Sequence, residues 1–253
     1  MKNYVIESLP DYFKKKKTIK NPKKFWDKID DEKFVWYHRW EKVVSYDMHE
    51  AKIEWFINAK LNITKNCIDR HLSQRGGKTA IIWEPNDPKE AAQHITYQDL
   101  YDRVGKMSNV LRDQGVQKGD RVTIYLPMIP ELPVAMLACA RVGAVHSVVF
   151  AGFSSNALAT RINDSESKLV ITSDGSYRGN KTLDLKGIVD ESLTKCPTVE
   201  KVLVAKRTNN EIKMKDGRDE WLQPLLDVAP TDNIPIIMDA EDPLFILYTS
   251  GST

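Results

Sequence analysis

The densest group of chemically useful residues is Thr249-Ser250-Gly251-Ser252-Thr253, directly after the apolar run Leu244 to Tyr248. A buried strand that ends in small hydroxyl residues and a glycine has what an anion cradle needs. The glycine admits close backbone approach, and the hydroxyls and amides supply several donors within a few residues. The loop lacks the Gly-Lys-Ser/Thr ending of a Walker loop and the Gly-x-Ser-x-Gly of a nucleophile elbow. The same cluster also suits an ordinary turn, and the pentapeptide alone leaves both readings open.

Other reactive side chains group less well. His146 beside Ser147 invites a base-and-nucleophile arrangement, but no orienting carboxylate follows from spacing, and a hydrogen-bonded histidine near the end of a buried strand is the expectation. His38, His49 and His71 form no His-Glu-x-x-His pair, and Cys67, Cys139 and Cys196 are too scattered for a disulfide framework or a CxxC metal site. No metal ligand set is expected.

The 253 residues are 42% apolar, enough for a substantial core in one large or two ordinary domains. Lys plus Arg number 37 against 35 Asp plus Glu, a formal charge of +2 that gives no field suited to nucleic acid or membrane as main partner. The one basic run, Lys14 to Lys17, has no interleaved aromatics and reads as a solvated arm. No signal-like segment or long apolar run occurs, so a cytoplasmic location is expected.

The elements that must position the loop can be read from periodicity. Residues 1–75 are rich in aromatics and charge, and Trp36 with Trp40, like Lys52 with Phe56, lie four apart, which predicts short amphipathic helices. After Gly76-Gly77 the pattern changes. Thr79–Trp83 and Ile95-Thr96 read as a strand and its return, and Thr96-x-x-Asp99 as a capping box. Leu100, Val104, Met107 and Leu111 mark a helix up to Gly115. Strands at 121–126, 145–150, 168–172 and 199–205 alternate with helices at 130–142, 155–165 and 183–195. The fold class is therefore α/β: a mostly parallel sheet with helices on both faces, preceded by an aromatic-rich helical N-terminal segment. Ligands of such sheets bind at the carboxyl-end rim, so the loops after Leu126, Phe150, Thr172 and Tyr248 are the ones to watch.

Longer motifs then become specific. Tyr125-Leu-Pro-Met-Ile-Pro-Glu-Leu-Pro through Phe150, Leu61-Asn-Ile-Thr-Lys-Asn-Cys-Ile-Asp-Arg-His-Leu72, Gly217-Arg-Asp219 and Glu241 through Thr253 closely resemble acetyl-CoA synthetases, of the adenylate-forming acyl-CoA synthetase superfamily. The resemblance runs essentially from end to end. It implies a two-step ligase using Mg2+, ATP and coenzyme A (CoA). A carboxylate attacks the α-phosphate of ATP to give acyl-adenylate and pyrophosphate, and the CoA thiol then displaces AMP. In such enzymes Thr249, Ser250, Gly251, Ser252 and Thr253 hold the β- and γ-phosphates. Phe150, Ala151 and Gly152 of Phe150-Ala-Gly-Phe153, with Arg178 and Lys181 of Tyr177-Arg-Gly-Asn-Lys181, would line the CoA nucleotide site, the two cations pairing with its phosphates. Ala151 and Asn180 stand where the family pattern has glycine, and a methyl at 151 could narrow the approach to the ligand.

The resemblance assigns residues 1–75 to an N-terminal segment of this branch and 76–253 to the first part of the AMP-binding domain, reaching into the phosphate loop. No catalytic residue of the family falls within these residues, so the chain is expected to be inactive alone. The partners expected are acetate or another short carboxylate, ATP and CoA, and a C-terminal portion if the ligase is split. A non-catalytic CoA- or nucleotide-binding half of a split or truncated acyl-CoA synthetase, such as a propionyl-CoA enzyme, is the alternative. A nucleotide-dependent oxidoreductase ranks last, because no Gly-x-Gly-x-x-Gly follows a strand.

Overall fold

A computed structural model describes residues 22–179 and 181–249. The chain divides into two compact units, one ending at Leu61 and rejoined by Ile237–Asp242, the other comprising Asn62–Ile236 and the residues from Pro243 onward.

In the first unit, helix α1 (Pro22–Lys33) precedes an antiparallel hairpin of β1 (Lys42–Asp47) and β2 (Lys52–Ile57). The short β3 (Lys60–Leu61) follows. Its partner is β13 (Met238–Asp239), where Lys60 forms an ion pair with Asp239. The helices expected around Trp36 to Phe56 are therefore corrected: Lys52 and Phe56 lie on a strand, and Trp36 and Trp40 precede one. Val43, Val44, Tyr46, Ile53, Trp55 and Ile57 are β-branched or aromatic, side chains that favour a pleated surface over a helix, and this outweighs a four-residue spacing seen only once or twice. The aromatics still form a cluster. Trp36 lies 5.3 Å from Trp40 and 5.4 Å from Phe56, and Trp40 lies 5.3 Å from Phe56, within the range for aromatic pairs.

The second unit is built on a six-stranded sheet. It contains β6 (Arg121–Tyr125), β7 (Val145–Val148), β8 (Leu169–Ser173), β11 (Lys201–Ala205), β12 (Asp219–Trp221) and β14 (Phe245–Ile246). The spatial order is β12-β11-β8-β6-β7-β14, and every pairing in it is parallel. Alternate residues of the central strands serve two cores, as a pleat requires. Val122, Ile124, Leu169, Ile171, Leu203 and Ala205 face one cluster with helices α4 (Tyr97–Asp113), α5 (Glu131–Val142) and α8 (Leu222–Val228). Tyr125, Val170, Val202 and Val204 face the other, with α6 (Ser155–Ser165) and α7 (Leu185–Leu193). The helix after β6 thus lies on the face opposite to those after β7 and β8, which opens a crevice at the carboxyl end of β6.

Local signals hold at the helix ends. Thr96 and Asp99 form the reciprocal capping box of α4, and Gly143 closes α5 at φ 76°, a left-handed conformation suited to glycine. An antiparallel pair, β4 (Thr79–Trp83) and β5 (Gln93–Thr96), leads into α4. The run Leu244 to Tyr248, expected as a buried strand, is corrected: only Phe245 and Ile246 pair, at the sheet edge, with Phe245 52% and Leu247 68% exposed. An apolar run shows that a segment suits a sheet, whereas burial depends on what covers both faces, and at an edge fewer elements do.

Two buried cations cross-link the unit. Arg141, 1% exposed, donates to both Asp69 oxygens at 2.8 and 3.0 Å, to Thr64, and to the Asn233 carbonyl. This joins α5 to the segment that contains α2 (Ile63–Cys67) and leads into α3 (Leu72–Arg75). Lys186, also 1% exposed, reaches Asp190, Asp219 and the Lys213 carbonyl. Burial acts to raise the Asp219 carboxyl, but hydrogen bonds from Arg218, Lys186 and the Lys215 amide outweigh it and hold it below the usual carboxylate range. Removing one partner of a buried pair strands the other charge. Asp69→Ala should therefore lower unfolding free energy by about 3–5 kcal/mol in urea titration, with Arg141 left uncompensated.

Candidate functional site

The crevice at the carboxyl end of the sheet contains a cavity of about 490 Å³ within the second unit. Its wall is assembled from loops distant in sequence. The turn after β6 brings Leu126 to Ile129, the end of β7 brings Val149 to Gly152, and a short hairpin brings Tyr177 and Arg178. That hairpin consists of β9 (Ser176–Arg178) and β10 (Lys181–Leu183). Trp83, at the end of β4, and Arg207, just beyond β11, complete the side facing the hairpin.

Four residues expected to act together therefore meet: Phe150, Ala151, Gly152 and Arg178 all line the cavity. Phe150 is 70% exposed and packs edge-on to Phe153 at 5.8 Å, leaving a ring face for stacking. A Cβ at Gly152 would lie 2.4 Å from the Phe150 ring, so glycine here lets that ring fold back over the backbone. Ala151 belongs to the apolar cluster with Tyr125, Val149 and Leu158, at 9% exposure. Lys181 is the cross-strand partner of Arg178 but does not line the cavity. Asn180 lies outside the described residues, as do Lys14 to Lys17.

Spacing did not disclose Trp83, Glu90 or Arg207. Arg207 donates to both Glu90 carboxylate oxygens at 2.7 and 2.8 Å. Its guanidinium also lies 5.2 Å from the ring centroids of both Trp83 and Tyr177, within cation–π range. The hydrogen bond to Glu90 pushes the Arg207 pKa up, and the same bond pulls Glu90 down. Trp83 is fixed by its indole N–H donating to the Met128 carbonyl at 2.8 Å. The sequence signal that reaches Arg207 is the rim rule itself, applied to β11 as well as to the four strands singled out.

What holds these loops together is Asp174, fully buried at the end of β8. Its carboxylate accepts from the backbone N–H groups of Gly175, Arg207, Thr208 and Asn209, the shortest contacts being 2.7 Å. One side chain thereby fixes both the start of the β9–β10 hairpin and the turn that carries Arg207.

Of the phosphate-loop candidates, Thr249 is described and is exposed, whereas Ser250, Gly251, Ser252 and Thr253 lie outside the described residues. The entry to that loop is anchored. The Tyr248 hydroxyl donates to Asp164, and the Arg161 guanidinium lies 4.9 Å from the Tyr248 ring and 4.7 Å from that of Phe153. Burial first, then the Asp164 contact, pushes the Tyr248 hydroxyl up to about 12. The expectation of a hydrogen-bonded His146 is corrected. His146 is buried on β7 with its Nδ1 unpartnered, 5.7 Å from the Phe245 ring, and the adjacent Ser147 Oγ is also unpartnered. Among the described residues no group of three or more His, Cys, Asp or Glu could hold a metal ion.

Comparison with known proteins places these features in context. The family model described as "AMP-binding enzyme" matches residues 68–253, and "Acetyl-coenzyme A synthetase N-terminus" matches residues 15–67. An acetyl-coenzyme A synthetase of Halorhodospira halophila is 50% identical over 237 residues, covering 94% of this chain and 37% of that protein. One of Syntrophobacter fumaroxidans is 51% identical over 238 residues, covering 93% and 36%. Among solved structures, an acetoacetyl-CoA synthetase from Streptomyces lividans superposes with a TM-score of 0.84 at 26% identity, covering 92% of this chain and 35% of that one. The chain thus spans about 37% of the length of the curated relatives it matches.

His146 gives this region a pH signature. Burial lowers its pKa to about 4. Between about pH 6.5 and the folded value the unfolded chain binds a proton that the folded chain does not, so stability falls as pH drops through that window. Replacing it, as in His146→Phe, should flatten the dependence of unfolding free energy on pH there, measured by urea titration at each pH.

Proposed function

Because the chain belongs to the AMP-binding enzyme family, and its residues 15–67 match an acetyl-coenzyme A synthetase N-terminus, we propose that it is the CoA-nucleotide and phosphate-loop portion of an acetate–CoA ligase. The observation that carries this reading is the cavity in which the Phe150 ring, the Gly152 backbone and Arg178 converge from two separate rim loops. A nucleotide site needs an aromatic or backbone surface for the base and fixed cations for the phosphates. The names of the relatives supply the substrates: acetate and CoA, with ATP implied by an AMP-forming ligase.

In this reading residues 1–75 are the segment particular to the acetyl-CoA synthetase branch, and 76–253 are the first part of the adenylation domain. An acetate oxygen attacks the α-phosphorus of ATP, and the bond to the bridging oxygen breaks with its electron pair leaving on pyrophosphate. Amides and hydroxyls of Thr249, Ser250, Gly251, Ser252 and Thr253 hold the departing phosphates and spread their charge. The CoA sulfur then attacks the acyl carbon to form the thioester, AMP departs with the electron pair of the acyl–oxygen bond, and the thiol proton is released to solvent. Arg178 holds CoA by a phosphate within the cavity, Phe150 offers a face to its adenine, and Lys181, outside the cavity wall on the same hairpin, pairs with a phosphate that extends beyond it. Bound to the phosphates of ATP, Mg2+ would offset their negative charge. No helix of the described residues is long and apolar enough to cross a membrane, and a cytoplasmic setting is part of the proposal.

The 253 residues by themselves are expected to bind CoA without catalysing acetate-dependent ATP–pyrophosphate exchange; measurable exchange would overturn the second part. Arg178→Ala should weaken CoA binding about tenfold or more in isothermal titration, the loss of one charge-assisted phosphate contact. An unchanged affinity would remove Arg178 from the site.

A further inference from the structure

The Arg207 cluster has the form of a cation held in reserve. Arg207 is 17% exposed, while the Glu90 side chain that neutralises it is 35% exposed. The two partners are anchored very differently. Arg207 has its backbone N–H fixed by buried Asp174 at 2.7 Å and its guanidinium between two rings. Glu90 is carried by the loop between β4 and β5, where its amide donates to the Asp87 carbonyl at 3.0 Å. If the ion pair opens, the arginine is therefore already in place and the glutamate is the partner that moves. A guanidinium fork that accepts a carboxylate in bidentate fashion fits a phosphate equally well. Arg207 and Arg178 line the same cavity.

We propose that Arg207 is a further phosphate-binding residue of this cavity, masked by Glu90 until a phosphate of CoA takes the carboxylate's place. This rests on the CoA site proposed above. No covalent step is involved: one anion replaces another on the same guanidinium, and Glu90 passes into solvent. The exchange has two consequences. An empty cavity does not present an unpaired, half-buried cation, which would carry a desolvation cost. Glu90 also acts as a competitor that lowers affinity for every anion by the same mechanism, so that a ligand must engage Arg178 or Phe150 as well in order to bind. Glu84, exposed at the same cavity wall, adds a second negative charge that disfavours anions lacking those extra contacts.

The proposal is distinguished from a purely structural ion pair by the sign of one effect. Glu90→Gln keeps the shape of the side chain and removes its charge, so CoA should bind about three- to tenfold more tightly to the 253-residue chain in isothermal titration. Arg207→Lys keeps the charge but loses the fork and should bind CoA about tenfold more weakly. Thermal unfolding of each variant checks that the fold is retained. If Glu90 only props the loop, Glu90→Gln will leave affinity unchanged or weaken it, and that result overturns the exchange. Absence of any CoA binding by the unsubstituted chain overturns instead the site assignment on which it rests. Binding that is weakened by Arg178→Ala and untouched at positions 90 and 207 overturns the exchange alone.

Discussion

Asp174 organises the rim on which the candidate site stands. A carboxylate buried without compensation would be strongly disfavoured, and here the compensation is four backbone N–H groups drawn from two separate loops. The requirement runs both ways. The amides of residues 207–209 leave the sheet at the end of β11 and would otherwise need partners of their own, so charge and loop satisfy one another. The β9–β10 hairpin and the Arg207 turn are thereby fixed relative to β8, and the spacing of Arg178, Tyr177 and Arg207 follows from that of adjacent parallel strands. A site made of loops gains in this way some of the rigidity of the sheet beneath it.

The same logic recurs at Arg141 and Lys186, each almost wholly buried and each given several acceptors. Neither pair adds much compared with well-packed apolar residues, but both are costly to break. Their effect is positional. Arg141 fixes the segment Asn62 to Asp69 against α5, aided by Asn62, whose side-chain amide donates to the carbonyls of Ala140, Arg141 and Ile236. Lys186 fixes α7 against the Lys213–Asp219 stretch. Packing supplies the cohesion of the two cores, while these ionic contacts decide which irregular segment lies against which helix.

Much of the fold was legible in advance because its signals are local. Thr96 with Asp99, the 4-3-4 spacing of Leu100, Val104, Met107 and Leu111, and Gly143 after α5 each specify a helix end or face within one or two turns. Alternation of strand and helix implied a parallel sheet, and the sheet implied a functional rim. Phe150, at one of the rim loops singled out, and Arg178, named through the family resemblance, line the same cavity. The N-terminal segment misled because one four-residue spacing of aromatics does not establish a helical period, whereas the β-branched and aromatic run from Lys42 to Ile57 favours paired strands.

By itself, the sequence determined the order and type of most elements and the family to which the motifs belong. These depend on residues close together in the chain or on long matched stretches. Only the tertiary structure decided that Trp83, Tyr177 and Arg207 meet, that Glu90 neutralises an arginine 117 residues away, and that His146 packs beside Phe245 with its Nδ1 unpartnered. Those contacts follow from strand order. Since β8 lies between β6 and β11 and β14 joins β7 at the edge, loops far apart in sequence become neighbours, and no periodicity within a window of ten or twenty residues encodes that adjacency.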